Sequence, residues 1–94
     1  MAMDWSKPRK PSNYEYDKIM DLQEQAELLL KRKFDNFVPV YLRTWETINL
    51  NYLVKVLVNG TSEECAHMIL MKGPKGKFMI NKIEAGKTLD MSLP

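Results

Sequence analysis

The stretch Asn51-Tyr52-Leu53-Val54-Lys55-Val56-Leu57-Val58 decides the fold of this 94-residue chain. A β-branched or aromatic residue stands at every second position from Tyr52 to Val58. Successive side chains of a strand point to opposite faces of a sheet, so an alternation with period two is typical of a β-strand. Residues of these types also suit a pleated, half-buried surface. The stretch therefore predicts a β-strand with one buried face.

The same alternation recurs on both sides of this stretch, at residues 38–43, 68–71 and 78–80. Short connections near residues 45–49, at 59–62 and at 72–77 separate the four runs. The Asn59-Gly60 pair favours a hairpin because both residues accept a positive φ at low cost. Parallel strands would need connections of roughly a dozen residues or more. The four runs therefore predict an antiparallel meander.

A helix is predicted before the strands. Apolar residues from Ile19 to Leu30 recur at steps of three and four, which places them on one face. Ser12 and Glu15 match the capping box that begins many helices. The helix is expected from Asn13 to about Lys33, and it is the only available cover for the apolar face of the sheet.

The predicted architecture is therefore α+β, with one N-terminal helix packed on a four- to five-stranded antiparallel meander. Residues 1–13 are basic and proline-rich and are expected to form a flexible tail. Residues 14–94 are expected to form the domain.

The composition bounds the classes of function. Cys65 is the only cysteine, so an internal disulfide is impossible and a reducing, cytoplasmic location is expected. The first residues carry no apolar signal segment, and no apolar run approaches the ~20 residues of a membrane span. The net charge of +2 is too small to imply a nucleic-acid or membrane partner.

Residues that could carry chemistry are few. Cys65 and His67 share one face of a strand, but a nucleophile would also need an orienting group, and zinc would need three or four ligands. Both are interpreted as ordinary sheet residues, and no enzyme activity, metal or cofactor is expected. Asn59-Gly60-Thr61 fits the glycosylation pattern but is interpreted as a turn. The glycine-rich run at 73–77 lies between two strands, so it is interpreted as a hairpin tip rather than a phosphate loop.

Residues 51–58 resemble the central strand of the stefins, the single-domain intracellular cystatins, whose pattern is roughly N-Y-[FI]-[IV]-K-V-x-V. Lys31-Arg32-Lys33-Phe34 resembles the end of the stefin helix, and Ala66-His67-Met68-Ile69-Leu70 resembles the V-H-L-x-V strand of the family. Pro74 falls near the proline of the second stefin hairpin, and residues 88–90 are a looser match. The resemblance covers about residues 17 to 93 in the same order.

The resemblance implies a cystatin-like sheet wrapped around a helix and a reversible, noncovalent inhibitor of papain-like cysteine proteases. In cystatins an N-terminal stretch and two hairpins enter the active-site cleft. Here the first hairpin corresponds to Trp45, Glu46, Thr47, Ile48 and Asn49. The second hairpin corresponds to Gly73, Pro74, Lys75 and Gly76. The expected partner is a cathepsin-type protease or another protein. The chain is expected to be a monomer, with a strand-exchanged dimer as the alternative.

The tips depart from the family pattern. The first hairpin retains none of the five residues Q-V-V-A-G, although Asn49 could supply the left-handed conformation of the glycine. No glycine precedes Gly60, and lysines flank the second tip. One alternative is a non-inhibitory binding module that uses the same hairpin edge, with Trp45 either an interface anchor or a packing residue. Another is an anion or nucleic-acid binder that uses Lys72, Lys75 and Lys77 with the basic tail.

Overall fold

The fold is an antiparallel four-stranded sheet with two short helices, seen in a computed structural model that describes residues 5–94. The helices are α1 (Asn13–Met20) and α2 (Gln23–Leu30). The strands are β1 (Val38–Glu46), β2 (Leu50–Asn59), β3 (Glu64–Lys72) and β4 (Phe78–Thr88). The strands follow one another in the order β1-β2-β3-β4, all antiparallel, so the predicted α+β class and the meander are confirmed.

The predicted single helix is corrected to two. The capping box is formed as expected, since the Glu15 N–H donates to Ser12 Oγ (3.2 Å) and the Ser12 N–H donates to Glu15 Oε1 (2.9 Å). At Leu22 the backbone N–H donates to the Ile19 carbonyl at 3.0 Å, a tighter turn that interrupts the helix. The second helix ends at Leu30 because Lys31 takes the left-handed conformation (φ 56°).

The core lies between the helices and one face of the sheet, called here the inner face. Ile19, Leu22 and Ala26 are the buried apolar residues of the helical segment, and Leu22 stays in the core although it lies at the interruption. The inner face contributes nine buried core residues: Leu42, Tyr52, Val54, Val56, Val58, Ala66, Met68, Leu70 and Phe78. The residues that decided the fold, Tyr52 to Val58 at alternate positions, therefore form the middle of this core.

Two backbone details differ from the sequence expectation. A register shift between Pro39 and Tyr41 leaves Val40 half-buried while Pro39 and Leu42 are buried, so the simple alternation fails there. In the connection after β2 the residue with positive φ is Glu63 rather than Gly60.

The turn after β2 is longer than a two-residue hairpin. It runs over residues 60–63, and the Asn59 side-chain oxygen accepts hydrogen bonds from the Thr61 and Ser62 N–H groups (3.0 and 3.2 Å). Asn59 therefore shapes the turn through its side chain, as in an Asx-turn.

The second face of the sheet, called the outer face, is partly covered by the two ends of the described chain. The N-terminal segment (residues 5–12) pairs with β1 through the Ser6 and Arg9 N–H groups, which donate to Thr44 O (2.7 Å) and Leu42 O (2.9 Å). The contact forms one isolated antiparallel bridge rather than a fifth strand. Part of the predicted tail thus lies against the sheet, while residues 1–4 of that prediction lie outside the described residues.

The C-terminal segment (residues 89–94) reaches the same face. The buried Lys55 ammonium donates to the Leu89 carbonyl at 2.8 Å. Arg43 binds both ends, because its Nε donates to Ser6 O (2.7 Å) and its Nη1 donates to the backbone oxygen of Pro94. Within residues 5–94, none of the helices has the length and apolar character needed to cross a membrane.

Candidate functional site

The two predicted hairpin tips lie at the same end of the sheet. In the register, Glu46 pairs with Leu50, Leu50 with Lys72, and Lys72 with Phe78, so these four residues form one row across the strands. Both turns project beyond that row. Because neighbouring strands lie about 4.8 Å apart, the centres of the two tips are separated by roughly 10 Å.

The N-terminal segment reaches the same end. Its chain runs antiparallel to β1, with Arg9 opposite Leu42 and Ser6 hydrogen-bonded to Thr44. Trp5 then lies beside Trp45, with ring centroids 5.8 Å apart in an edge-on contact. We call the set formed by Trp5, the turn at residues 47–49 and the turn at residues 73–76 the hairpin edge.

The first tip is held by local hydrogen bonds. The Thr47 N–H donates to Asn49 O at 2.8 Å, and the Asn51 side-chain amide donates to Trp45 O (3.0 Å) and Asn49 O (3.3 Å). Asn49 does not take the left-handed conformation, since among the described non-glycine residues only Lys31 and Glu63 have positive φ. The turn is therefore closed by the backbone N–H of Thr47 and the side-chain amide of Asn51.

Ile48 is the exposed apolar group of this tip. It is 100% exposed, while its neighbours Glu46 and Thr47 are also on the surface. Trp45 is half-buried and packs on Trp5 instead of projecting from the turn. The apolar character of the first tip therefore rests on Ile48.

The second tip is a tight turn with basic surroundings. The Gly73 N–H donates to Lys77 O (2.9 Å), the Gly76 N–H donates to Gly73 O (3.0 Å), and Gly76 has φ +76°. A residue with a side chain would be strained at that φ, so the position requires glycine. Pro74 and Lys75 are exposed at the tip.

One of the three lysines near this turn, Lys72, packs against aromatic rings of the fold. The Lys72 ammonium lies 5.1 Å from the Tyr14 ring centroid and 6.0 Å from that of Phe78, which are cation–π distances. Lys75 and Lys77 are exposed. The predicted basic cluster is therefore divided, with two lysines at the surface and one over aromatic rings.

Cys65 and His67 lie on the outer face rather than in the hairpin edge. Cys65 is fully buried, and burial raises the pKa of its thiol. Burial is also the main cause that lowers the pKa of His67, and the charges of Lys55 and Lys87 lower it further. Both shifts favour the neutral forms, so a thiolate–imidazolium pair is disfavoured here. No group of three or more His, Cys, Asp or Glu side chains within residues 5–94 could hold a metal ion.

Sequence reasoning missed a cavity on the outer face. Leu53, His67 and Ile69 line it together with residues of β4 and of the two chain ends. The sequence did contain a signal for this cavity. The second face of β2 and β3 is also apolar, which predicts that another part of the chain covers it; its apolar residues are Leu53, Leu57, Cys65 and Ile69.

In comparisons with known proteins, no protein-family model and no curated protein matches the chain.

Proposed function

We propose that this chain is a reversible, noncovalent inhibitor of papain-like cysteine proteases that inserts its hairpin edge into the active-site cleft. The observation that carries the proposal is that two hairpin turns lie at one end of the sheet, with Trp5 beside Trp45 of the first hairpin and with Ile48 fully exposed at the first turn. The stefin-like pattern of residues 51–58 supports the same interpretation. No catalytic group is needed, because occlusion of the cleft alone prevents substrate binding.

The stiffness of the tips favours tight docking. The Thr47 and Asn51 hydrogen bonds close the first turn, and the two backbone hydrogen bonds of Gly73 and Gly76 close the second. Segments that are already ordered lose little conformational entropy on binding. An exposed apolar side chain that becomes desolvated in a groove then contributes most of the gain, as at the anchors of other interfaces.

The Glu46 carboxylate limits how deeply the hairpin edge can enter the active-site cleft. The Glu46 carboxylate is exposed beside Ile48, and its burial without a partner would be costly. We therefore expect Glu46 to stay at the rim of the cleft while Ile48 enters it.

The direct test is a titration of papain and of a cathepsin with the purified chain. We expect inhibition with a Ki below about 10 μM that is lost on dilution. Ile48→Asp should weaken it at least about tenfold, since a carboxylate would replace the apolar anchor. The matched control is Leu28→Asp, because Leu28 is 77% exposed on α2, away from the hairpin edge, and this change should leave inhibition unaltered.

A second candidate is a non-inhibitory binding module that uses the hairpin edge for another protein. The exposed Lys75 and Lys77 favour it, because a basic second tip would suit an acidic partner surface. Unchanged proteolysis at about 50 μM chain would exclude the inhibitor and leave this candidate.

A further inference from the structure

The outer face of the sheet contains a cavity of about 250 Å³. Leu53 of β2 and His67 and Ile69 of β3 line its sheet side. Trp5 and Pro94, from the two chain ends, line it from outside the sheet. It is small by comparison with most ligand sites, so it suits a small molecule rather than a peptide.

His67 is the feature that points to a ligand. Its side chain lines the cavity and the residue is only 8% exposed. Its Nε2 atom is buried and has no hydrogen-bond partner within residues 5–94. Buried polar atoms are almost always paired, and one that lines a cavity is positioned to pair with a bound group.

The charges around His67 favour an anion. Lys55 of β2 and Lys87 of β4 both act on the imidazole and lower its pKa, after the larger effect of burial, while Glu84 of β4 opposes them. Lys82 and Glu84 both line the cavity, and they are paired with each other at 3.4 Å. Lys55 donates to Leu89 O, so Lys87 is the cation best placed to meet a ligand.

We propose that this cavity binds a small carboxylate with an aromatic or aliphatic body, whose carboxylate accepts hydrogen bonds from His67 Nε2–H and from the Lys87 ammonium. The body packs on Leu53, Ile69 and Trp5, which supply apolar surface. A neutral imidazole provides one N–H donor, so the hydrogen bond requires no protonation of His67. The site shares Trp5 with the hairpin edge, but its other lining residues lie outside that edge, and the proposal does not depend on the proposed inhibition.

The test uses the imidazole signals of the full chain in NMR, because His67 is the only histidine. The probe is indole-3-acetate, and indole-3-acetamide is its uncharged analogue. We expect a saturable shift of the His67 signals with a Kd on the order of 1 mM, as is reasonable for a ligand of this size. The acetamide should bind about tenfold more weakly, since it lacks the charge that strengthens both hydrogen bonds.

Two further measurements make the test specific for this site. Saturation with indole-3-acetate should raise the pKa of His67, because a carboxylate beside the ring favours the imidazolium form. Lys87→Gln should weaken binding about tenfold. The control is Lys18→Gln, since Lys18 is an exposed residue of α1 that does not line the cavity, and its replacement should leave the affinity unchanged.

The proposal is overturned if the His67 signals show no saturable shift up to about 10 mM indole-3-acetate. It is also overturned if the acid and the amide bind equally, or if Lys87→Gln binds as the native chain does while its amide spectrum shows the native fold.

Discussion

Glu15 is the residue whose surroundings are most informative about stability. Although it is charged, it is only 7% exposed, and its carboxylate accepts hydrogen bonds from both Nη atoms of Arg9 (2.7 and 2.8 Å) and from the Ser12 N–H. The Arg9 hydrogen bonds are the main cause that lowers the pKa of Glu15 to about 2. The carboxylate therefore joins the N-terminal segment to the start of α1.

Glu15→Gln is expected to lower the free energy of unfolding by about 1–2 kcal/mol at neutral pH, because it removes a charge-assisted pair in which the carboxylate is buried while the Arg9 side chain stays 45% exposed. The folded pKa lies below the ordinary value of 4.5, so the contribution is present above about pH 4.5 and is lost as the pH falls toward 2. Urea titrations of both proteins at several pH values measure this.

The control for that series is Glu24→Gln, which replaces an exposed glutamate on α2 and should have little effect at any pH. A difference between native chain and Glu15→Gln that stays constant from pH 7 to about pH 2 would contradict the assigned pairing.

The sequence predicts part of this network. Ser12 and Glu15 are three residues apart, which is enough to predict the capping box. Arg9 could not be predicted as the partner, because Pro8 and Pro11 mark its segment only as irregular and the contact depends on how that segment lies on β1.

At the scale of elements, the end of α2 has a backbone conformation that its residue disfavours, because a residue with a side chain takes a positive φ there. Lys31 has φ 56° at the C-cap, and its backbone N–H donates to the Glu27 carbonyl. The left-handed conformation costs a residue with a side chain roughly 1 kcal/mol, whereas glycine adopts it freely.

Lys31→Gly is therefore expected to raise the free energy of unfolding by about 0.5–1 kcal/mol, as measured by chemical denaturation. Lys31→Ala is the matched control and should not stabilise the chain, because alanine has the same conflict with positive φ. Destabilisation by glycine would mean that the lysine side chain itself stabilises this turn.

The strands were predictable and the division of the helix was not. Alternation at residues 52–58 fixes which side chains face the core, since a shift by one residue would turn them all outward. Ile19, Leu22 and Ala26 have spacings that suit a continuous helix equally well. The interruption arises where the Leu22 N–H donates to the Ile19 carbonyl, and no residue type at these positions predicts that hydrogen bond.

At the scale of the whole molecule, Arg43 connects both ends of the described part of the chain to the outer face. It donates to Ser6 O and to the backbone oxygen of Pro94, and its Nη2 lies 3.5 Å from Trp5 O. One side chain thus holds the segment that carries Trp5 to the hairpin edge and the segment that lines the cavity.

Arg43→Met should release both segments, with faster hydrogen exchange at the amides of Ser6 and Thr44 and a loss of about 1–3 kcal/mol in the free energy of unfolding. Arg32→Met serves as the control, because the Arg32–Glu64 pair lies at the other end of the sheet and is more exposed. Unchanged exchange at Ser6 and Thr44 in Arg43→Met would show that β1 pairing alone holds the segment.

The positions of the two tips at the candidate site could be predicted from the sequence, but the position of Trp5 could not. The candidate hairpins follow from their turn residues, and the meander places them at one end. The position of Trp5, which completes the hairpin edge, depends on a pairing between Arg9 and Leu42 that no local pattern encodes.

The measurement that tests the central claim most directly is the footprint of the chain on papain whose catalytic cysteine has been blocked. Amide signals of the chain are compared by NMR with and without this papain. The account predicts changes concentrated at residues 47–49 and 73–76 and beside Trp5, with the turn at residues 60–63 unaffected. A footprint centred on residues 60–63, or no binding at about 50 μM, would contradict it.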